Sequence, residues 1–478
     1  MKPSEHPAAP SVPKPSAVPL DQDPNHYLGK EPVPRLLLKF SLPCVMSMLV
    51  SALYNIVDQI FIGQGVGYLG NAATNVVYPF TVLSLAVALM IGDGCAARLS
   101  LSLGRGDRQA AHRNVGNGVA LTIVAAGLLT AAGLLFENAI LQFFGVTPAC
   151  YAYAREYMDS ILLGIPFYLF TSAFNGVIRA DGSPRFAMVS TLAGAALNLI
   201  LDPVAIFALG MGVRGAALAT VIGQGVSCLL SLLYLGRVRT FSLHKESFLP
   251  SGHVCGSILQ AGASSFITQI AIVIVMAVAN NLVVHYGPRS LYGADIPLSV
   301  IGIVMKVFGI VIAISVGIAV GGQPIVGYNY GAGRLGRVKE TYRCILLANV
   351  VIGCVATLLF EIFPLAIVRL FGNEDGLYNT YACLCFRIFL GAILLTCIQK
   401  ASSIFLQSMG RPAKATVLSL ARDVVFFVPA LLLLAPLVGV DGMLWAAPIA
   451  DGMALLLTVA LVGTELKKFK QVRECGLS

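Results

Sequence analysis

The sequence predicts an all-α polytopic membrane protein in which twelve transmembrane helices form two pseudo-symmetric six-helix lobes. Three observations carry that expectation. Of the 478 residues, 57% are hydrophobic and only 12% are charged, whereas a soluble domain is about a quarter charged. The apolar residues fall in repeated blocks of about 20, the length that crosses roughly 30 Å of hydrocarbon. The loops of one half of the chain also reappear in the other. Abundant Ala, Leu and Gly with weak alternation exclude a β-barrel, whose strands read as short segments of alternating polarity.

Residues 1–34 are rich in proline and lack an apolar run, so they read as a disordered cytoplasmic tail rather than a signal peptide. Apolar blocks then begin near Leu36, Thr74, Val115, Glu156, Phe186, Arg214, Val254, Ile296, Tyr342, Asn379, Ala413 and Val440. They are numbered spans 1 to 12. Polar turns punctuate them, such as GRGDRQ from Gly104, DGSPR from Asp181 and GAGRLGR from Gly331. Residues 35–236 make the first lobe, 237–253 a cytoplasmic linker, 254–464 the second lobe, and 465–478 a second cytoplasmic tail.

The net charge of +9 is split into short clusters between apolar blocks, which fits membrane topology and not a nucleic-acid surface. Alternate connections carry the clusters: Arg105, Arg108 and Arg113; Arg179 and Arg185; Arg237, Arg239 and Lys245; Arg334, Arg337, Lys339 and Arg343; Arg411 and Lys414; Lys467, Lys468, Lys470 and Arg473. The opposite set holds only Arg155, Arg214, Arg289 and Arg369. A bias of this kind places the basic loops and both termini in the cytoplasm of a multi-pass plasma-membrane protein.

The repeat is legible in four places. LGRGDRQAAHR at Leu103 matches YGAGRLGRVKE at Tyr330, and Phe144-Gly145 matches Phe371-Gly372. Gly182 and Pro184 recur as Gly410 and Pro412, and GVRGAALA at Gly212 recurs as GVDGMLWA at Gly439. Six spans per copy keep both copies in one orientation, with the pseudo-twofold along the membrane normal and the binding site between the lobes. The 11 cysteines are scattered through apolar runs without a CxxC pair, and Cys383 and Cys385 point to different helix faces. No metal-spaced histidine set and no Ser-His-Asp arrangement appears, so neither an enzyme nor a resident cofactor is expected. GQGVG at Gly63 follows no strand, which discounts it as a phosphate loop.

Ionisable groups within spans are costly, face the bundle interior and mark functional sites by default. Asp58 in span 1 lies roughly 5 to 10 Å inside the outer boundary, with Asp202 in span 5 and Thr220 in span 6 at a similar depth. Tyr54 with Asp58, and Asn198 with Asp202, are four apart and share a helix face. Pro203 frees the carbonyl of Leu199, adding an oxygen near the acids. Such an oxygen-rich group suits a hard cation or a shared proton. At the repeat displacement of 227 or 228, Asn198 falls on Val425 or Phe426 and Asp202 on Pro429 or Ala430. The second lobe therefore lacks the acid, which points away from a packing role common to both copies.

The second lobe carries Lys306, Arg387, Lys400, Arg422, Asp423 and Asp451 within spans. Depth places Lys400 with Arg422 and Asp423, and Lys306 with Asp451. Ion pairing accounts for them most simply; contact with an anionic or zwitterionic cargo is the other reading. Asn175 reads as a helix-end or interlobe residue, and Asp93 as a partner of Arg98 or the start of a loop.

Several segments resemble the multidrug and toxic compound extrusion (MATE) family, and within it the bacterial DinF-like branch. They are LPCVMSMLVSALYNIVDQIFIG in span 1, FNGVIRADGSP ending span 4, LNLILDP in span 5 and GVRGAALATVIGQ opening span 6. The resemblance covers nearly the whole chain after the tail. It implies a secondary active antiporter, monomeric in the bilayer, that exports small organic cations or amphiphiles in exchange for protons or sodium by alternating access. Protonation or sodium binding at Asp58 and Asp202 would then repack span 1, with Pro43 as its flex point and Pro203 as a second hinge, and lower affinity for the cargo. The chain departs from members with acids in spans 7 and 8, where it has Gln269 and Lys306. A flippase for lipid-linked saccharides, from the same superfamily, is the alternative that these C-lobe cations suggest.

Overall fold

The protein is described by a computed structural model covering residues 26–474 except 145, 147, 149, 239, 241–244, 293–294 and 370–375. The repeat elements Gly145 and Phe371-Gly372, Arg239 and most of the N-terminal tail lie outside the described residues. In hydrocarbon every backbone N–H and C=O must be satisfied within the segment, which leaves helices as the solution for these blocks. Among the described residues no strand occurs.

Among the described residues eleven helices are long and apolar enough to cross a membrane, and a bent pair, taken as one span, makes twelve. The first lobe has Val33–Gly65, Ala73–Gly104, Arg108–Phe143, Tyr151–Ala180, Pro184–Ala208 and Gly212–Leu235. The second has Gly252–Arg289, Val300–Gly331, Leu335–Ile362, the bent span 10, Pro412–Val438 and Val440–Phe469. Span 10 consists of Leu377–Phe389 and Ile393–Ser408, inclined by 46°. Its break follows a π-helical turn at Cys385–Phe389. Gly391 sits in that break, where a Cβ would lie 2.3 Å from the Arg387 carbonyl oxygen, so only glycine fits the bend.

Span 5 changes form after Pro203, whose ring cannot donate to the ladder. The next turn, Val204–Ala208, widens to a π-helix, closed by Leu209 N–H donating to Val204 O at 2.9 Å. Such turns cluster at functional positions, and this one comes directly after Asp202. Pro43, by contrast, sits buried within an unbroken span 1.

The basic connections gather at one end of the bundle, and there the lobes are joined. One core cluster draws on both halves at that end, including Leu36, Phe40, Leu99, Phe174, Tyr328, Tyr342 and Phe405. Towards the other end the clusters stay within one lobe, around Met158 and Leu162 in the first and around Phe386 or Phe427 in the second. Glycines allow the close approach. A Cβ on Gly94 would lie 2.1 Å from Ile258 O, and one on Gly262 1.7 Å from Met90 O. Ser41 Oγ adds a hydrogen bond to Ile318 O at 3.0 Å.

Two boundaries differ from expectation. Residues 26–34, expected within the tail, are folded: His26–Gly29 forms a 3-10 turn and span 1 begins at Val33. Leu28 is 1% exposed, and its carbonyl accepts from Asn329 Nδ2 at 3.0 Å and Arg337 Nη2 at 3.1 Å. Tyr27 OH reaches Gly182 O of the first lobe at 3.4 Å, so the segment straddles both lobes. The sequence showed its prolines and not the pocket that receives Leu28. At the other terminus the last helix runs on to Glu474, through the expected tail. Glu465, 2% exposed, holds Lys468 at 3.2 Å and Arg411 at 3.8 Å and bonds Lys414.

Candidate functional site between the lobes

A cavity of 680 Å³ lies between the lobes, lined by spans of both. Its walls combine apolar side chains such as Leu85, Leu89 and Val316 with hydroxyls and amides such as Ser47, Thr268 and Gln269. Concave, mostly apolar sites with a few placed polar groups are the usual form of small-molecule sites.

The first-lobe cluster forms one wall. Tyr54, Asn198 and Thr220 face the cavity, while the neighbouring Asp58 and Asp202 are not among its lining residues. Asp202 is 1% exposed. Asn198 Nδ2 donates to Asp202 Oδ1 at 3.0 Å and to Thr220 Oγ1 at 3.2 Å. The helical spacing read from the sequence brings all five together, across spans 1, 5 and 6. Asp58 Oδ1, Asp202 Oδ2 and Asn198 Oδ1 are buried without a hydrogen-bond partner. Buried oxygens left without a donor are costly unless a proton or cation satisfies them.

The second-lobe charges resolve into one network and two outliers. Arg422 Nε bonds Asp451 Oδ1 at 2.8 Å, its Nη1 bonds Asp423 Oδ1 at 2.8 Å, and Lys400 Nζ bonds Asp423 Oδ2 at 2.9 Å. Arg422, Asp423 and Asp451 are buried, and only Lys400 of the four borders the cavity. The expected pairing of Asp451 with Lys306 is not made. Lys306 and Arg387 line no part of the cavity. Depth along separate helices did not reveal azimuth, and the π-helical turn at Ala421–Phe426 shifts the faces of Arg422 and Asp423 from where a regular helix would set them.

Two lining residues, Asp93 and Arg179, differ from their sequence reading, and a third, Asn175, takes the interlobe place expected of it. Asp93 pairs with neither Arg98 nor a loop: it lines the cavity, and Ser265 Oγ of the second lobe donates to its Oδ2 at 2.6 Å. Arg98 instead donates to Asn114 Oδ1 at 3.2 Å. Asn175 also lines the cavity; it donates to Thr191 Oγ1 at 2.9 Å and accepts from Arg179 Nη1. Arg179, assigned to a loop, lines the cavity too. The four-residue spacing of Asn175 and Arg179 was the available signal.

Two lobes of six spans around a cavity whose apolar walls carry placed polar groups, with two acids beside it, define a polytopic membrane transporter. The chain belongs to the MatE family, whose model matches residues 43–204 and 264–432. Membership makes it a transporter and not an enzyme. Similar curated proteins include the multidrug export protein MepA of Staphylococcus aureus (strain MRSA252), 25% identical over 442 residues and matched over 91% of this chain and 95% of that protein. MepA of Staphylococcus haemolyticus (strain JCSC1435) is 24% identical over 91% of this chain and 94% of its own. Among solved structures, an outward-facing multidrug resistance MATE family transporter superposes with a TM-score of 0.86 at 22% identity, covering 93% of this chain and 98% of that one. A MATE crystallised with MaL6 gives 0.87 at 22% identity over 93% and 99%. These likenesses establish the twelve-helix fold.

Proposed function

We propose that this protein is a secondary active antiporter that exports cationic or amphiphilic small molecules in exchange for protons or sodium by alternating access. Its basic end would face the cytoplasm, and the arrangement described would be the one open to the outside. The observation that carries the reading is the Asp58–Asp202 pair beside the wall of the interlobe cavity, where one oxygen of each acid and the Asn198 Oδ1 are buried without a hydrogen-bond partner among the described residues. Related proteins named as multidrug exporters support export of small molecules.

The acids do not line the cavity themselves; Tyr54, Asn198 and Thr220 stand between. Coupling would therefore pass through that wall: an ion on the acids reorients the Asn198 amide and repacks span 1 against span 5, and the cavity changes shape. The ion shifts the equilibrium only by the difference in its affinity for the two states. The flippase alternative gains no support, since of the three cations that suggested it only Lys400 borders the cavity, already bonded to Asp423, and the one other lining cation among the described residues, Arg179, shares the cavity with the acidic Asp93. The test is reconstitution into vesicles with ethidium as the cargo and separately imposed pH and sodium gradients. Uphill movement should follow at least one gradient and fall at least tenfold in Asp58→Asn and Asp202→Asn. Movement driven by neither gradient would refute antiport.

A further inference from the structure

We infer that the cavity is a receptor for zwitterionic amphiphiles, with Asp93 taking the cationic amine and Arg179 the anionic group. The inference rests on the antiport reading and narrows its cargo.

The formal charges that line the cavity among the described residues are Asp93, Arg179 and Lys400. Lys400 is committed to Asp423. Asp93 and Arg179 are both part-exposed, and neither forms a salt bridge among the described residues. Each is instead steadied by a neutral neighbour: Ser265 Oγ donates to Asp93 at 2.6 Å, and Arg179 Nη1 donates to Asn175 Oδ1. They lie close enough for the Arg179 charge to act on Asp93 without closing a salt bridge, and so offer one negative and one positive point within the same half-dry space. A monocation placed there gains Asp93 and is opposed by Arg179; a monoanion meets the reverse. A molecule carrying both charges satisfies both, and a guanidinium is suited to a carboxylate by its forked geometry. The apolar stretches formed by Leu85, Leu89 and Val316 take the body of the molecule.

Asp58 and Asp202 are not among the lining residues, and Asp93 is the carboxylate that is. Its bond from Ser265 crosses between the lobes, and Ser265 also accepts from Gln407 Nε2 at 3.1 Å. An ammonium bound at Asp93 competes with the Ser265 hydroxyl for that carboxylate. Cargo therefore loosens an interlobe hydrogen bond as it binds.

A matched pair of dyes tests this. Rhodamine 110 carries a carboxylate, and rhodamine 123 is its methyl ester; their binding to the purified full chain is read by fluorescence anisotropy. We expect rhodamine 110 to bind at least tenfold more tightly. Arg179→Gln should erase the preference, Arg179→Lys should retain most of it, and Asp93→Asn should weaken both dyes. Equal or tighter binding of the ester by the unmodified protein overturns the inference, and so does a preference that survives Arg179→Gln. The comparison in the unmodified protein keeps the test valid should a variant misfold. Gradient-driven uptake of both dyes with equal affinities would overturn this inference alone; tenfold preference with no gradient-driven uptake would instead overturn antiport.

Discussion

Gly262→Ala should open the joined end of the bundle. The added Cβ would fall 1.7 Å from the Met90 carbonyl oxygen and 2.6 Å from its carbon, both backbone atoms that cannot rotate away. Relief to ordinary contact needs spans 2 and 7 to part locally by roughly 1.5 Å, given that a carbon rests at about 3.3 Å or more from a carbonyl oxygen. Overpacking of this kind costs about 1–3 kcal/mol. Because the cost falls on the state in which the lobes touch, it should shift the equilibrium towards opening at the basic end by roughly 5- to 150-fold, at about 1.4 kcal/mol per factor of ten. Hydrogen–deuterium exchange in nanodiscs reads it. Peptides covering residues 33–45 and 90–104 should exchange faster by a factor in that range, while peptides from the single-lobe cluster around Met158 stay unchanged. Unaltered exchange in a variant of normal thermal stability would refute the reasoning that these glycines set the closure.

Three further outcomes are expected from the geometry. Arg422→Met leaves Asp451 and Asp423 without their shared cation and should destabilise by about 3–5 kcal/mol; Arg422→Met with Asp451→Leu should recover most of it, because Lys400 still holds Asp423 at 2.9 Å, as read by thermal unfolding. Leu28→Ala empties a fully buried position, costs about 2–5 kcal/mol locally, and should speed tryptic cleavage at Lys30 and Arg35; unchanged cleavage would contradict the docked segment. Asn198→Ala removes the donor to Asp202 and Thr220, worth about 1–3 kcal/mol, and should move the half-saturating ion concentration in transport roughly 5- to 150-fold.

The positions of the spans were legible because twenty apolar residues in a row have one physical solution in lipid. The cluster of Tyr54, Asp58, Asn198, Asp202 and Thr220 was legible because two of its relations are i, i+4 on single helices and the rest come from matched depth. Relations that depend on azimuth were not. Asp451 faces Arg422 and not Lys306, and Asp93 reaches across to Ser265, since depth along a helix fixes one coordinate of three. The π-helical turns at Val204–Ala208 and Ala421–Phe426 rotate the residues beyond them, and no periodicity argument built on 3.6 residues per turn anticipates that. Leu28 showed the same limit from another side: a proline-rich segment looks unfolded until the groove that buries one leucine is known.

The central claim is that cargo and coupling ion are linked through the Asp58–Asp202 pair. Its most direct test is ion release on cargo binding, measured on the purified protein in weakly buffered solution with a pH indicator and, in parallel, with radioactive sodium. The account predicts that adding ethidium expels about one proton or sodium ion per bound molecule, and that Asp58→Asn with Asp202→Asn abolishes the release while ethidium still binds. The same release from the doubly substituted protein, or binding without release of either ion from the unmodified one, would contradict it.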